Sequence, residues 1–222
     1  MKTIIFDEIF STNEYAETHD FAEDTAIIAK RQTGGKGTKG RSFSSREGGV
    51  YLSLVRLYPC KTDNAFSIMI ASCMAVVKTL ESYGVSPKIK WANDVYVNGK
   101  KICGILIKNS FEGENVKKSI TGIGVNVNND LPDELKDIAV NLKSLIGAVD
   151  TAEFAKRLVE NLYGKYTIEE YKFYNMVLGK EITVISGEKS YKAVAKDISD
   201  DGNLILENGE KLSYGEISVR FN

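Results

Sequence analysis

The feature that most limits what this chain can fold into is a hairpin signature in residues 90–108, K-W-A-N-D-V-Y-V-N-G-K-K-I-C-G-I-L-I-K. Asn98-Gly99 joins two β-rich runs, and both residues of so tight a turn must accept positive φ, which Asn and Gly do most readily. The spacing predicts antiparallel strands over 94–97 and 101–108. Asn93 and Asp94 then stand where one strand begins, and Lys101 stands early in the next. A carboxylate and an ammonium are thus carried by rigid elements rather than by loops, as a preorganised site needs. Trp91, the single tryptophan, has the character of a core residue. Taken alone, the pattern also fits a hairpin with solvated charges, which contribute little.

The rest of the chain supplies further elements. Residues 4–9 alternate and read as a first strand. Ser11 with Glu14 three positions on is a capping box that opens a short helix running to about residue 20, and a hydroxyl there is placed to bond a neutral polar ligand. Residues 25–30 read as the next strand. Beyond Gln32, residues 34–41 read G-G-K-G-T-K-G-R. Such glycines let backbone N–H groups close on an anion while the cations supply charge. The stretch comes near the Walker pattern as G-x-x-x-x-G-R-S, but Arg41 stands at the lysine position and no amphipathic helix follows. Residues 50–57 are strand-like, and 65–83 have the period of a core helix ending at Gly84. Residues 118–127 read as a strand whose Gly122 and Gly124 mark a close approach of ligand or backbone, with Asn126 and Asn128 on one face. Residues 152–174 read as a second long amphipathic helix. From residue 179 onward, short strands alternate with turn signals at 186–187, 200–203 and 208–209, which predicts a small β-barrel.

Composition narrows the function classes. Lys and Arg number 29 against 30 Asp and Glu, a net charge of −1, so no global field draws the chain to nucleic acid or an anionic membrane. One histidine, His19, leaves little material for a His-based triad or metal site. Cys60, Cys73 and Cys103 lack metal-ligand spacing, and their odd number suggests reduced thiols in the cytoplasm. Met1 leads straight into a strand with no secretory pattern, and no apolar run approaches the roughly 20 residues of a membrane span.

Three motifs in order resemble the biotin protein ligase family. Residues 35–43, G-K-G-T-K-G-R-S-F, are similar to the family's G-R-G-R-x-G-R-x-W. Residues 90–106 are similar to K-W-P-N-D-x-Y-x-x-x-K-K-x-x-G-I-L, and residues 122–128 to G-I-G-x-N-x-N. The early S-T-N at 11–13 and the closing E-I-S-V-R at 216–220 match as well. Phe43 stands for the family's Trp, Ala92 for Pro, and Lys36 and Thr38 for Arg. Lys36 keeps the charge without the guanidinium fork, whereas Thr38 loses the charge.

The resemblance implies an α+β fold: a mixed sheet with packed helices, of the class II synthetase or biotin/lipoate ligase kind, over residues 1–176, and a small SH3-like β-barrel over 177–222. It implies an ATP-dependent enzyme that uses Mg2+, activates biotin as biotinyl-5′-AMP and transfers it to a lysine of a biotin carboxyl carrier domain. It gives catalytic roles to Lys101, Asp94 and Arg41, with Lys101 bridging the biotin carboxylate and the α-phosphate. Biotin falls to Ser11, Thr12, Gln32, Gly35, Lys36, Gly104 and Leu106. The nucleotide falls to Arg41, Phe43, Asn93, Asn126 and Arg220. Asp94 is the metal candidate, with Mg2+ carried mainly by phosphates. Some family members have an N-terminal winged-helix segment; nothing precedes the first strand in this sequence, so no DNA partner is expected. No membrane partner is expected either, and the chain is read as a monomer or homodimer. Two other readings share the fold, a lipoate or octanoate ligase and a biotin-binding sensor without turnover. The long middle motif argues against the first, and Lys101, Asp94 and Arg41 together argue against the second.

Overall fold

The computed structural model describes residues 1–186, 189–214 and 218–221; for residues 39, 189 and 218–221 it describes the backbone alone. Seven strands form the main sheet: β1 (Lys2–Ile9), β2 (Thr25–Gln32), β3 (Val50–Leu57), β4 (Lys88–Lys90), β5 (Asp94–Val97), β6 (Lys100–Glu112) and β7 (Asn115–Val125). Their order is β1-β2-β3-β7-β6-β5-β4. β1 and β2 run parallel, as a helical crossover requires, and the remaining neighbours are antiparallel. That crossover is α1 (Thr12–Thr18).

Strand alternation divides the sheet into two faces. Leu52 and Leu54 of β3 enter the main core, whereas Val55 joins a smaller cluster with Ile27, Ile120 and Ala16 of α1. The main core lies against α2 (Phe66–Glu81), whose buried residues occupy nearly its whole circumference. The segment Thr62–Glu81 is long and apolar enough to match a membrane span, which corrects the expectation that no such run exists. Its most apolar stretch is 67% buried, as a core helix is. α3 (Leu142–Ile146), α4 (Thr151–Asn161) and α5 (Ile168–Tyr174) complete the helices. The expected single helix over 152–174 is therefore two. Thr167 Oγ1 accepts from Glu170 N–H at 3.2 Å and the Glu170 carboxylate accepts from Thr167 N–H at 2.8 Å, a full capping box that starts a new helix within the amphipathic period.

The second sheet holds β8 (Glu181–Ser186), β9 (Lys189–Ile198), β10 (Leu204–Leu206), β11 (Lys211–Leu212) and β12 (Ser218–Phe221), in the order β11-β10-β9-β8-β12. Strands this short around tight turns build the small SH3-like unit. Leu204, Leu206 and Leu212 belong to the same buried cluster as Phe66 and Trp91, so the two sheets share one core. Trp91 Nε1 donates to Gly202 O at 3.0 Å across that junction, and Lys172 of α5 pairs with Asp197 of β9 at 2.8 Å.

Candidate active site

The site grows from the hairpin. Asn98 and Gly99 both adopt positive φ, 51° and 77°, and close β5 onto β6. Val95 faces Cys103, but Tyr96 faces Lys101, so Ile102 is an extra residue on β6. A β-bulge re-aims the side chains beyond it. Lys101 and Gly104 are three apart and would point to opposite faces of a regular strand; with the bulge between them, both line one cleft. Backbone bonds hold the bulge, from Lys101 N–H to Ile138 O and from Val140 N–H to Lys101 O, each 2.9 Å. Asp94 sits opposite Gly104, and its carboxylate meets Lys101 Nζ at 2.6 Å. Asn93 reaches across β6, donating from Nδ2 to Ile105 O at 2.6 Å and accepting from Ile105 N–H at 3.0 Å.

The segment ahead of Asn93 is clamped from behind. The Tyr171 hydroxyl, fully buried, donates to Ala92 O at 2.7 Å. The Trp91–Ala92 peptide bond is cis. Cys103 lies directly beneath the cleft, and burial pushes its thiol well above the usual range, which leaves it an inert core residue. Burial likewise pushes the Tyr96 phenol up to about 12.

One end of the cleft is a polar pocket. Ser11 caps α1, accepting from Glu14 N–H at 3.4 Å. The other half of the expected box is replaced: the Glu14 carboxylate turns to Lys36 Nζ at 2.6 Å and so ties α1 to the glycine loop. Gln32 Oε1 accepts from Thr12 N–H at 2.8 Å and Thr12 Oγ1 at 3.0 Å, while its Nε2 donates to Ser45 Oγ at 2.9 Å. Ser53 Oγ lies 2.8 Å from Thr12 Oγ1 and 2.6 Å from Asn13 Oδ1. Asn13 and Ser53 had no role in the sequence reading. The available signal for Ser53 was a hydroxyl set among the apolar residues of 50–55.

The floor is made by Gly122 and Gly124 on β7. A Cβ on Gly122 would lie 2.3 Å from Asn13 Nδ2, and one on Gly124 would lie 2.6 Å from Phe43 Cε1. The close approach expected at these glycines is thus made by the chain's own side chains. The Phe43 ring rests against Gly104 and Gly124, which face each other across β6 and β7. The glycine loop closes as a small turn, with Lys36 bridged to Ser42 and Gly37 N–H donating to Arg41 O at 2.7 Å. No helix follows it before β3, so the Walker alternative is excluded.

Ser11, Thr12, Gln32, Lys36, Phe43, Asn93, Asp94, Lys101, Gly104 and Leu106 all line this cleft. Thr38 lines it as well. Gly35 lies just beneath, wedged between Ser45 Oγ and Phe43 O. Arg41 is exposed at the loop's exit. Asn126 follows β7 and is buried outside the lining. The Arg220 side chain lies outside the described residues; its backbone pairs with Thr183. Asp94 is the carboxylate of the lining, and among the described residues no three His, Cys, Asp or Glu side chains gather as a metal cage. That arrangement fits Mg2+ held chiefly by phosphate oxygens with one carboxylate, and does not fit a resident all-protein site.

Comparison with known proteins gives the same direction. Residues 6–126 match the model of the biotin/lipoate A/B protein ligase family, and residues 177–220 match the biotin protein ligase C terminal domain. The bifunctional ligase/repressor BirA of Bacillus subtilis is 32% identical over 93% of this chain and 70% of its own length. The biotin–[acetyl-CoA-carboxylase] ligase of Mycobacterium tuberculosis is 26% identical over 88% of this chain and 79% of its own. A structure of biotin protein ligase from Aquifex aeolicus in complex with biotin and ATP superposes with a TM-score of 0.82 and 31% identity, covering 100% of this chain and 99% of that one.

Proposed function

Because the chain belongs to the biotin/lipoate A/B protein ligase family, we propose that its cleft divides the work of biotin–protein ligation between Lys101 and Asp94. The enzyme is an ATP-dependent biotin–protein ligase. In the first half-reaction, a biotin carboxylate oxygen attacks the α-phosphorus of ATP and the bond to pyrophosphate breaks, giving biotinyl-5′-AMP. In the second, a lysine amine of a carrier domain attacks the acyl carbon and AMP leaves.

The first step brings two anions together, and its transition state gathers charge on the α-phosphate oxygens. Preorganised cations in a water-poor cleft serve that need. Lys101 bridges carboxylate and phosphate. Asp94 holds this ammonium at 2.6 Å, and the biotin carboxylate takes over part of that contact. Lys36 neutralises phosphate charge as it exchanges Glu14 for the ligand, and Arg41 approaches from the loop's exit. Ser11, Thr12 and Gln32 bond the ureido ring, with Gly35, Gly104 and Leu106 shaping the space around biotin. Phe43 stacks near adenine, Asn126 hydrogen-bonds it, Asn93 lies by the phosphates, and Arg220 reaches toward the nucleotide from the barrel. Asp94 would be the protein ligand of a Mg2+ held mainly by the ATP phosphates, where the ion would neutralise phosphate charge. In the second step Asp94 orients the acceptor amine and takes its proton.

The observation that carries this reading is the bulge at Ile102, which turns Lys101 into the same cleft as the S-T-N turn and the glycine loop. Residues 1–176 form the chemical unit, and 177–222 brace it through Gly202 and Trp91. The acceptor is the carrier domain of a carboxylase, the setting is cytoplasmic, and the chain works as a monomer or homodimer. Incubation with MgATP, a biotin carboxyl carrier domain and either biotin or lipoate, read by mass, tests the proposal. Biotin addition alone is expected; lipoate addition alone would overturn it.

A further inference from the structure

Asparagines crowd the chain just after β7, and backbone groups fix the amides of Asn128, Asn129 and Asn141. Asn129 Oδ1 accepts from Val127 N–H at 3.0 Å. A backbone N–H can only donate, so the atom it meets is the oxygen, and the Asn129 NH2 is the group that reaches Asn126 at 3.0 Å. That NH2 also donates only. Asn126 must therefore face it with Oδ1 and turn Nδ2 the other way. The neighbours are anchored by the same logic. Asn128 accepts from Val149 N–H at 3.1 Å and donates to Val149 O at 2.7 Å, which turns it away from the face it was expected to share with Asn126. Asn141 accepts from Ser144 N–H at 2.8 Å and donates to Asn129 O at 2.8 Å. The backbone of Asn126 is engaged too, with its N–H on Ile102 O at 2.9 Å and its carbonyl accepting from Leu142 N–H at 3.1 Å. Nδ2 is then the one hydrogen-bonding group of Asn126 without an acceptor among the described residues.

Resting on the proposed contact of Asn126 with the nucleotide base, we infer that Asn129 is a positioning residue that commits Asn126 to read adenine as a hydrogen-bond donor. Adenine offers acceptor ring nitrogens and a donor amino group. A donor Asn126 meets a ring nitrogen; an Asn126 turned over would meet the amino group instead. Asn129 thereby acts on base recognition without touching the base.

The substitution Asn129→Asp keeps the acceptor for Val127 N–H and removes only the NH2. Asn126 then gains by turning its own NH2 toward the new carboxylate and presenting Oδ1 outward. The experiment measures binding of ATP and of its 1-deaza, 3-deaza and 7-deaza analogues in the presence of biotinol, which lacks the attacking carboxylate. Wild type is expected to lose about 10-fold in affinity with the analogue that lacks the contacted nitrogen, the effect of one hydrogen bond. In Asn129→Asp that penalty should shrink to within about 2-fold of none. The added charge weakens every analogue alike, so the ratio isolates polarity, and unchanged biotin affinity reports an intact fold. Asn126→Ala must erase the penalty if Asn126 meets the base. If it does and Asn129→Asp leaves the penalty whole, the role of Asn129 is overturned while the base contact stands. If Asn126→Ala leaves the penalty whole, or wild type shows none, the base contact falls and the inference with it.

Discussion

The substitution Gly124→Ala tests how the floor of the cleft is built. The new methyl would lie 2.6 Å from Phe43 Cε1, 2.9 Å from Cζ and 3.0 Å from Cδ1, closer than carbon atoms can sit. The strand beneath cannot give way, because Gly124 is paired to Tyr51 on one side and Gly104 on the other. The ring must move, and Tyr51 stands edge-on beside it at 6.4 Å between centroids. It therefore lifts off the floor into the space the ligand needs. Overpacking a well-filled site costs about 1–3 kcal/mol; a half-buried ring that can swing toward solvent keeps the effect on stability near the low end. Displacing that ring on binding should weaken biotin by about 10-fold, or 1.4 kcal/mol. Calorimetric titration with biotin measures it, in wild type, Gly124→Ala, Phe43→Ala and the double variant. With Phe43 reduced to Ala there is no ring to displace, so Gly124→Ala should then change biotin affinity by less than about 2-fold, a coupling of the size contacting residues show. An equal loss in both backgrounds, or wild-type binding by Gly124→Ala, refutes the steric argument.

Tyr171→Phe strands the Ala92 carbonyl, left with a thiol contact at 3.6 Å from Cys73, and should lower stability by about 1–2 kcal/mol and Tm by a few degrees; an unchanged melting curve and unchanged adenylation would remove Tyr171 from the clamp. A loop with glycines at 34, 35, 37 and 40 carries high backbone entropy when open, so biotin should raise ATP affinity by ordering it first, and equal ATP affinity with and without a non-reactive biotin analogue would argue otherwise. Thr38 lines the cleft, so Thr38→Arg should slow release of biotinyl-AMP by about 2–20-fold, a share of the gain from a charge-assisted hydrogen bond, followed by stopped flow; an unchanged rate would show that position 38 makes no contact. The Lys172 ammonium holds the Asp197 carboxyl below its usual range. A depressed folded pKa gives stability that is present above the ordinary carboxylate value, about pH 4, and is lost as pH falls below it. Lys172→Met should flatten this acid limb in thermal melts, and an identical pH profile would exclude the pair.

Strands and hairpin were legible because their signals are local. Residues 50–57 read as a strand and form β3, and Asn98-Gly99 placed the turn that aligns Asp94 with β6. The bulge at Ile102 was not legible, since nothing in K-K-I-C-G announces an extra residue; it follows from backbone bonds to 138–140, far along the chain. For the same reason the asparagine network escaped notice: Asn126 and Asn128 share a face only while the strand continues, and β7 ends at Val125. The helix over 152–174 was misjudged because amphipathic period persists across a break that Gly164 and the Thr167 capping box introduce. Glu14 announced a capping box, yet its carboxylate found a cation in a loop 22 residues away, a tertiary partner that local spacing cannot foresee.

The central claim is that the bulged hairpin delivers Lys101 to the α-phosphate. Single-turnover formation of biotinyl-5′-AMP by Lys101→Ala, with biotin affinity measured on the same protein, tests it most directly. An ammonium on a side chain 31% exposed at a strand is not core packing, so fold and melting temperature should survive the change. Removing one preorganised donor from such a site slows the chemical step by about 10²–10³-fold. That loss, with the fold intact, is the predicted result. Adenylate formation by Lys101→Ala at close to the wild-type rate would contradict the account.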